Sequence, residues 1–353
     1  MKKVVPLSLL LCSVLSSIVV GYPPPYYVYM VHEILLVVIF FWFINLIVSK
    51  DYLKKALEVI TLFFLVFFMI LSPINKMLAP EYDSTFTDDP AVHTDYLAEI
   101  IGERPYASEG EKKASAYIEN VLEENGFTPL VNGNIIVINE GRKDAVIFCA
   151  HYDTVPGSPG ADDNASGVAV LLGLTIPESP GYTIVLAFFT GEEIGMIGSR
   201  YYADHLDRKV SGVICVDTVG IGDSIHISSL KENRWTSFFL SQVIYGLSEK
   251  GDPSIGPLYS DHVPFNEKGI RAVGITRSTD RIYPHIHSEL DNSVDSKKIA
   301  ETGKIIQDVV LHFSHSEHPY LFVYESVSIS ILISAFLSVL FQNLMEKIKI
   351  LEE

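Results

Sequence analysis

Apolar residues are spread unevenly along this 353-residue chain. Two nearly continuous apolar blocks, the first 80 residues and the last 35, bracket a middle of ordinary mixed composition. The N-terminal block contains runs at 4–20, 26–48 and 56–71, the last closed by Pro73; the C-terminal run covers 320–341. Each approaches the roughly 20 residues needed to cross a bilayer, so about four transmembrane helices are predicted. The first run also fits a signal peptide, with a basic start and small residues near Gly21; the missing A-x-A signature favours a retained helix. The expected organisation is a membrane region at 1–80, a folded domain at 83–318, and a last span with a short tail at 319–353.

The middle reads differently. Short apolar runs at 134–139, 145–150, 182–189, 212–216 and 271–276 have the length of buried strands. Helical patterns at 109–124, 165–174, 235–247 and 296–313 alternate with them, and Gly126 stands where the first helix should stop. Such alternation predicts an α/β fold, a mixed, largely parallel sheet flanked by helices. Sites in such sheets form beyond the carboxyl ends of the strands.

Lysine placement predicts orientation. Lys2 and Lys3 precede the first run, Lys50, Lys54 and Lys55 lie between the second and third, and Lys347 and Lys349 follow the last. A multi-pass integral membrane protein is expected, with both termini cytoplasmic and the middle domain on the other side of the lipid bilayer. Ser326, Ser330, Ser334 and Ser338 recur every four residues and form a small-residue stripe that lets helices approach closely. Packing against the chain's own helices is the first expectation for that stripe; a homodimer is the second.

The net charge of −17 argues against nucleic acid, which requires a basic face. Cys12, Cys149 and Cys215 have no metal or disulfide spacing and read as small buried hydrophobes.

Candidate chemistry gathers where the strands end. His151 and Asp153 follow one strand, Glu192 and Glu193 a second, Asp217 a third. His285, His287 and Asp291 lie beyond the last. Asp162 and Asp163 sit side by side in Pro-Gly-Ala-Asp-Asp-Asn-Ala-Ser-Gly. Two histidines and several carboxylates share one cleft only if cations neutralise them. Imidazole with carboxylate suits zinc, and a shared carboxylate suits a two-metal site. One aspartate of the adjacent pair can bridge two cations. One glutamate of its pair can bind metal while the other moves a proton.

The motifs AHYDTV, PGADDNASG, FTGEEIGMIGS, VDTVG, SDHVPF and IHSELDN, in that order, resemble the co-catalytic zinc exopeptidase family of aminopeptidase Y and bacterial leucyl aminopeptidase. GERPYASEGEKKASAYIENVLEENGF is similar to that family's opening helix. The resemblance implies two Zn ions held by His151, Asp162, Glu193, Asp217 and His287. Asp162 would be the bridge and its bond to Asp163 cis. One ion would take His151 and Glu193, the other Asp217 and His287. It implies Glu192 as general base, Asp153 as the group orienting His151, and Asp261 and Asp291 as supporting groups. The implied activity is removal of N-terminal residues from peptides. Carboxypeptidase action, glutaminyl-cyclase-like action and a non-hydrolytic receptor or scaffold are the alternatives.

Other residues read as ordinary. His285 is expected to be a loop residue and His262 a packed one. Tyr259 is a weaker candidate for an oxyanion donor. The sequon Asn164-Ala-Ser is expected to be fortuitous, and His312, His315 and His318 to lie in a solvated segment.

Overall fold

The computed structural model describes residues 51–86, 89–248, 259–278 and 283–352. The spans expected at 4–20 and 26–48, and Cys12, lie outside the described residues. In chain order the helices are α1 (Asp51–Leu78), α2 (Ala91–Asp95), α3 (Glu109–Glu124), α4 (Gly167–Leu172), α5 (Ile197–Asp204), α6 (Arg234–Leu247), α7 (Val263–Glu267), α8 (Ser296–His315) and α9 (Leu321–Glu352). The strands are β1 (Leu130–Asn132), β2 (Asn134–Asn139), β3 (Lys143–His151), β4 (Tyr182–Phe189), β5 (Val210–Val216), β6 (Ser224–Ser228) and β7 (Ala272–Ser278). The chain divides into two compact units, and Pro80–Pro319 is the larger.

The larger unit is built on one seven-stranded sheet in the order β1-β2-β4-β3-β5-β7-β6. Its centre, β4-β3-β5-β7, is parallel; β1, β2 and β6 join antiparallel at the edges. The parallel strands are buried along nearly their whole length, as helices on both faces require. One face packs Ile147, Cys149, Val185, Ala187, Val213 and Cys215 against Ala203 of α5 and Phe265 of α7. On the other, α4 packs against β3 and α8 against β4. Cys149 and Cys215 are buried free thiols on adjacent strands, the packing role expected of them.

Local sequence accounts for the helices. Ser108 caps α3 by accepting the Glu111 N–H at 3.1 Å, with Glu109 and Glu111 in the first turn where the helix dipole favours them. Ala114, Ile118 and Leu122, four apart, form its buried stripe. Gly126, at φ +84°, takes the left-handed position that ends it. Asp295 caps α8 through the Lys297 N–H, and Ile299, Ile306, Val310 and Phe313 face the core.

Within the larger unit the expected strands and helices all occur, with ends shifted by at most two residues; the stretch 165–174 has its regular helix at Gly167–Leu172. Two strands were not predicted. β1 has three residues, all exposed, and β6 is a five-residue edge; neither is long or apolar enough to stand out. His312 corrects the expectation of a solvated segment. It is buried, with Nδ1 2.9 Å from Tyr82 Oη and Nε2 2.7 Å from the Pro319 carbonyl. His315 and His318 are exposed.

The smaller unit contains α1 and α9, which pack together. Both are long and apolar enough to cross a membrane. Only 17% of each apolar stretch is buried, whereas a core helix of a soluble protein would be mostly covered. Met69, Leu332, Phe336 and Phe341 all point outward. Pro73 lies inside α1 instead of closing it. The four serines of the α9 stripe are fully buried within the chain. Ser326 Oγ lies 2.6 Å from the Phe322 carbonyl and 3.2 Å from Asn75 Oδ1 on α1. The stripe is thus buried within this chain, the packing role first expected of it.

Candidate active site

The parallel strands deliver their last residues to one edge. β3 ends on His151, β4 runs into Thr190-Gly191-Glu192-Glu193, and β5 into Asp217. The loop after β7 returns His287 and Asp291 to the same edge. Four of the five expected metal ligands meet there, around Asp163. His151 Nε2 lies 3.2 Å from Asp163 Oδ1 and 3.7 Å from Asp217 Oδ1. His287 Nε2 lies 3.0 Å from Asp163 Oδ2 and 3.2 Å from Glu193 Oε2. The ligand atoms of His151, Asp163 and Glu193 all fall within 4.8 Å of one another.

Asp162 is the fifth expected ligand, and the structure displaces it by one residue. Its Oδ1 accepts the Gly220 N–H at 2.6 Å, away from both imidazoles. Asp163 occupies the central position, and the cis peptide is Asp163–Asn164, not Asp162–Asp163. The pairing changes as well. His151 shares a side of Asp163 with Asp217, and His287 with Glu193, the reverse of the expected partners. Adjacent aspartates look equivalent in a sequence, and only the turn decides which one faces the cleft. Here Gly160, at φ +59°, makes the turn. A Cβ on it would sit 2.4 Å from the Asp163 carbonyl oxygen.

The loop is held by its neighbours. Asp291 accepts the N–H of Asp162 at 2.8 Å and of Asp163 at 3.0 Å, the supporting place expected of it. Asn164 donates to the Val216 carbonyl and accepts from the N–H of Gly167 and Thr218. It is fully buried, so the sequon is a structural tether. Protein recovered from a glycosylating host is expected to carry no glycan at Asn164, a result read directly by peptide mass mapping.

Asp153 does more than orient a ring. His151 Nδ1 lies 3.2 Å from its carbonyl and 3.5 Å from its Oδ1. Its carboxylate also accepts the Glu192 N–H at 3.0 Å and the Glu193 N–H at 3.2 Å. Ser260 Oγ donates to Asp217 Oδ2 at 2.5 Å, and Ser199 Oγ to Asp261 Oδ1 at 2.5 Å. His262 is packed and fully buried, and its ring nitrogens have no hydrogen-bond partner among the described residues. Burial pulls its pKa down to about 3. His285 sits in the loop with its ring edge-on to Tyr283. Tyr259 is exposed and interacts with Arg200.

Arg104 was not singled out from the sequence. It is fully buried, and its guanidinium donates to the carbonyls of Leu97, Gly102, Tyr152, Pro159 and Gly160 at 2.6–3.0 Å. It ties the segment after β3 to the start of the aspartate loop. Burial pulls its pKa down to about 10, against the opposing pull of Asp291 and neighbouring carboxylates.

The cluster crowds buried charge. Burial, with Asp261, Asp217 and Asp163 close by, pushes Glu192 up to about 9. Burial and Asp163 push Glu193 up to about 7. The Asp163 hydrogen bond holds the His287 imidazolium up to about 9. Glu193 Oε1 is buried and accepts no hydrogen bond among the described residues. Two imidazoles, three carboxylates and an orphaned carboxylate oxygen form a donor set that fits a divalent cation of the zinc type.

Residues 134–310, half of the chain, match Peptidase family M28. The chain belongs to that family. It is 29% identical over 217 residues to Aminopeptidase YwaD of Bacillus subtilis, covering 54% of this chain and 47% of that protein. It is 35% identical over 117 residues to a Vacuolar membrane protease of Candida albicans, 31% of this chain and 13% of that one. The match thus spans about half of one curated relative and a small part of the other. In fold it resembles BSAP, a zinc aminopeptidase from Bacillus subtilis, at TM-score 0.55 and 18% identity, over 63% of this chain and 93% of that one. It also resembles a glutaminyl cyclase of Porphyromonas gingivalis at TM-score 0.52 and 21% identity, over 64% and 98%.

Proposed function

We propose that the chain is a membrane-anchored di-zinc aminopeptidase. The observation that carries this reading is Asp163, whose two oxygens each face a different imidazole, with one further carboxylate beside each ring. His151 and Asp217 would hold one ion, His287 and Glu193 the other, and Asp163 would serve both. When bound, zinc supplies Lewis acidity and lowers the pKa of water towards about 7.

The remaining chemistry belongs to the chain. The Glu192 carboxylate accepts no hydrogen bond from the described residues, while its N–H is fixed on Asp153. A base held at one end and free at the other can take a proton from water attacking the peptide carbonyl, then deliver it to the leaving amine. Asp153 keeps both that loop and the His151 ring in place. The surplus of carboxylates over imidazoles favours a substrate with a free, protonated α-amine. Arg104 senses the same carboxylates but is occupied by backbone carbonyls, so it provides no seat for a substrate carboxylate. This favours an aminopeptidase over a carboxypeptidase.

The outward apolar faces of α1 and α9 support insertion in a bilayer, and the Candida relative is itself named a membrane protease. By the positive-inside rule, Lys54 and Lys55 in the first turn of α1, Lys50 before them in the sequence, and Lys347 and Lys349 near the end of α9 would be cytoplasmic. The peptidase domain, 83–318, would face the other side. Protease added to sealed, right-side-out vesicles should digest the domain, and protection there would reverse the topology.

The test of activity uses the full-length chain in detergent with zinc and a panel of free, N-acetylated and N-terminal glutamine peptides. Stepwise loss from free N-termini alone is expected. Glu192→Gln should retain metal and lose roughly 100- to 10,000-fold in kcat, the usual weight of general acid–base catalysis. Loss of ammonia from N-terminal glutamine would establish a cyclase instead. Loss from C-termini would establish a carboxypeptidase. Bound metal with no product anywhere in the panel would favour the scaffold.

A further inference from the structure

Glu111 opens α3, far in sequence from the metal cluster. In a capping box its carboxylate would turn back to the N–H of Ser108. Here Oε2 accepts the Ala107 N–H at 2.5 Å, while Oε1 accepts a short hydrogen bond from Thr190 Oγ1. Thr190 stands two residues before Glu192. The Thr190 N–H lies 3.3 Å from Asn134 Oδ1, and Asn134 Nδ2 donates to the Gly198 carbonyl. Gly191, at φ +65°, lies under the Tyr106 ring, where a Cβ would come within 2.9 Å of the ring edge. The 190–193 segment is thus gripped from both sides, by Asp153 on the cluster side and by Tyr106 and Glu111 on the other.

We infer that Glu111 and Thr190 form a strut that positions the Glu192 carboxylate. This rests on the proposed function only in assigning the base to Glu192. A buried carboxylate sharing a hydroxyl proton is a strong, directional contact. It fixes the backbone at the point where β4 ends and the base-bearing turn begins. Small displacements of a reacting group are costly in rate: about 1 Å can cost about 100-fold. Glu111 and Thr190 are positioning residues, since neither side chain reaches the cluster.

The test compares full-length wild type with Thr190→Val, which keeps shape and removes the hydroxyl, and Thr190→Ser, which keeps the hydroxyl. The strut predicts that Thr190→Val lowers kcat by roughly 10- to 100-fold. KM and bound metal should stay near wild type, and the melting temperature should fall by only a few degrees. Thr190→Ser should restore kcat to within a few-fold. Amide exchange across 190–196 should rise in Thr190→Val and in Glu111→Gln, with the β3 and β5 amides unchanged. Wild-type kcat in Thr190→Val, or unaltered exchange across 190–196, would overturn the strut. A purely structural role would instead lower the melting temperature sharply and raise exchange throughout the sheet. If the wild type processes no peptide, the proposed function falls, and the exchange data still decide the strut.

Discussion

Asp163→Asn is expected to empty the metal centre, whereas Asp162→Asn should leave it loaded. Asp163 is the only carboxylate among the described residues that faces both imidazoles. An amide in its place presents one neutral oxygen and one N–H donor to groups that need negative charge. Metal content by elemental analysis should fall by at least half, and hydrolysis by roughly 1,000-fold or more, since residues that act as a unit fail together. At Asp162 the reverse holds. Burial pushes its pKa up to about 8, which favours the neutral acid that asparagine copies. The sign of the pH effect follows. An acid whose pKa is raised on folding binds more protons when folded, so its stabilisation is complete below pH 4. That stabilisation is lost as pH rises towards 8. Unfolding of the chelator-treated protein should therefore show Asp162→Asn gaining on wild type as pH climbs from 4 to 8. Equal metal loss in both variants would return the bridge to the pair as a whole.

Arg104→Met is expected to destabilise the domain strongly. It removes the donor of five buried carbonyls; those of Leu97 and Gly160 keep the N–H of Gly102 and Ala165, and those of Gly102, Tyr152 and Pro159 are left with no other donor among the described residues. Each such unsatisfied group costs about 1–3 kcal/mol, and relaxation of the loops recovers part of the sum. A loss of roughly 3–5 kcal/mol is anticipated, visible as a collapsed melting temperature or failure to accumulate. Arg104→Lys should rescue little, because an ammonium has three donors on one atom and cannot span the carbonyls of both loops. A melting temperature within a few degrees of wild type would show that water replaces the guanidinium.

Much of this site was readable before any coordinates. Strand ends place His151, Glu192, Glu193 and Asp217 on one edge by the logic of a parallel sheet, and His287 follows from its motif. What escaped was decided by three-dimensional choices. Asp162 and Asp163 differ only in which way a turn of small residues points them. Arg104 sits in an unremarkable Gly-Glu-Arg-Pro and acquires meaning from carbonyls up to 56 residues away. Glu111 reads as a helix cap, and only the sheet edge reveals that it also holds Thr190. β1 is too short and exposed, and β6 too short, to leave a pattern.

The register of the sheet has a further consequence for how the family can vary. His151 pairs with Phe189, and Cys149 with Cys215, across parallel ladders that run in constant register from Val146 onward. Neighbouring strands lie about 4.8 Å apart, so the sheet sets the spacing of the groups mounted on its ends. Adding or removing one residue within β3, β4 or β5 would turn every later side chain of that strand to the opposite face. The core of the domain should therefore accept many substitutions and almost no change of length. Insertions and deletions accumulated over evolution should fall instead in the connections remote from this edge, such as the turn between β2 and β3 at 140–142.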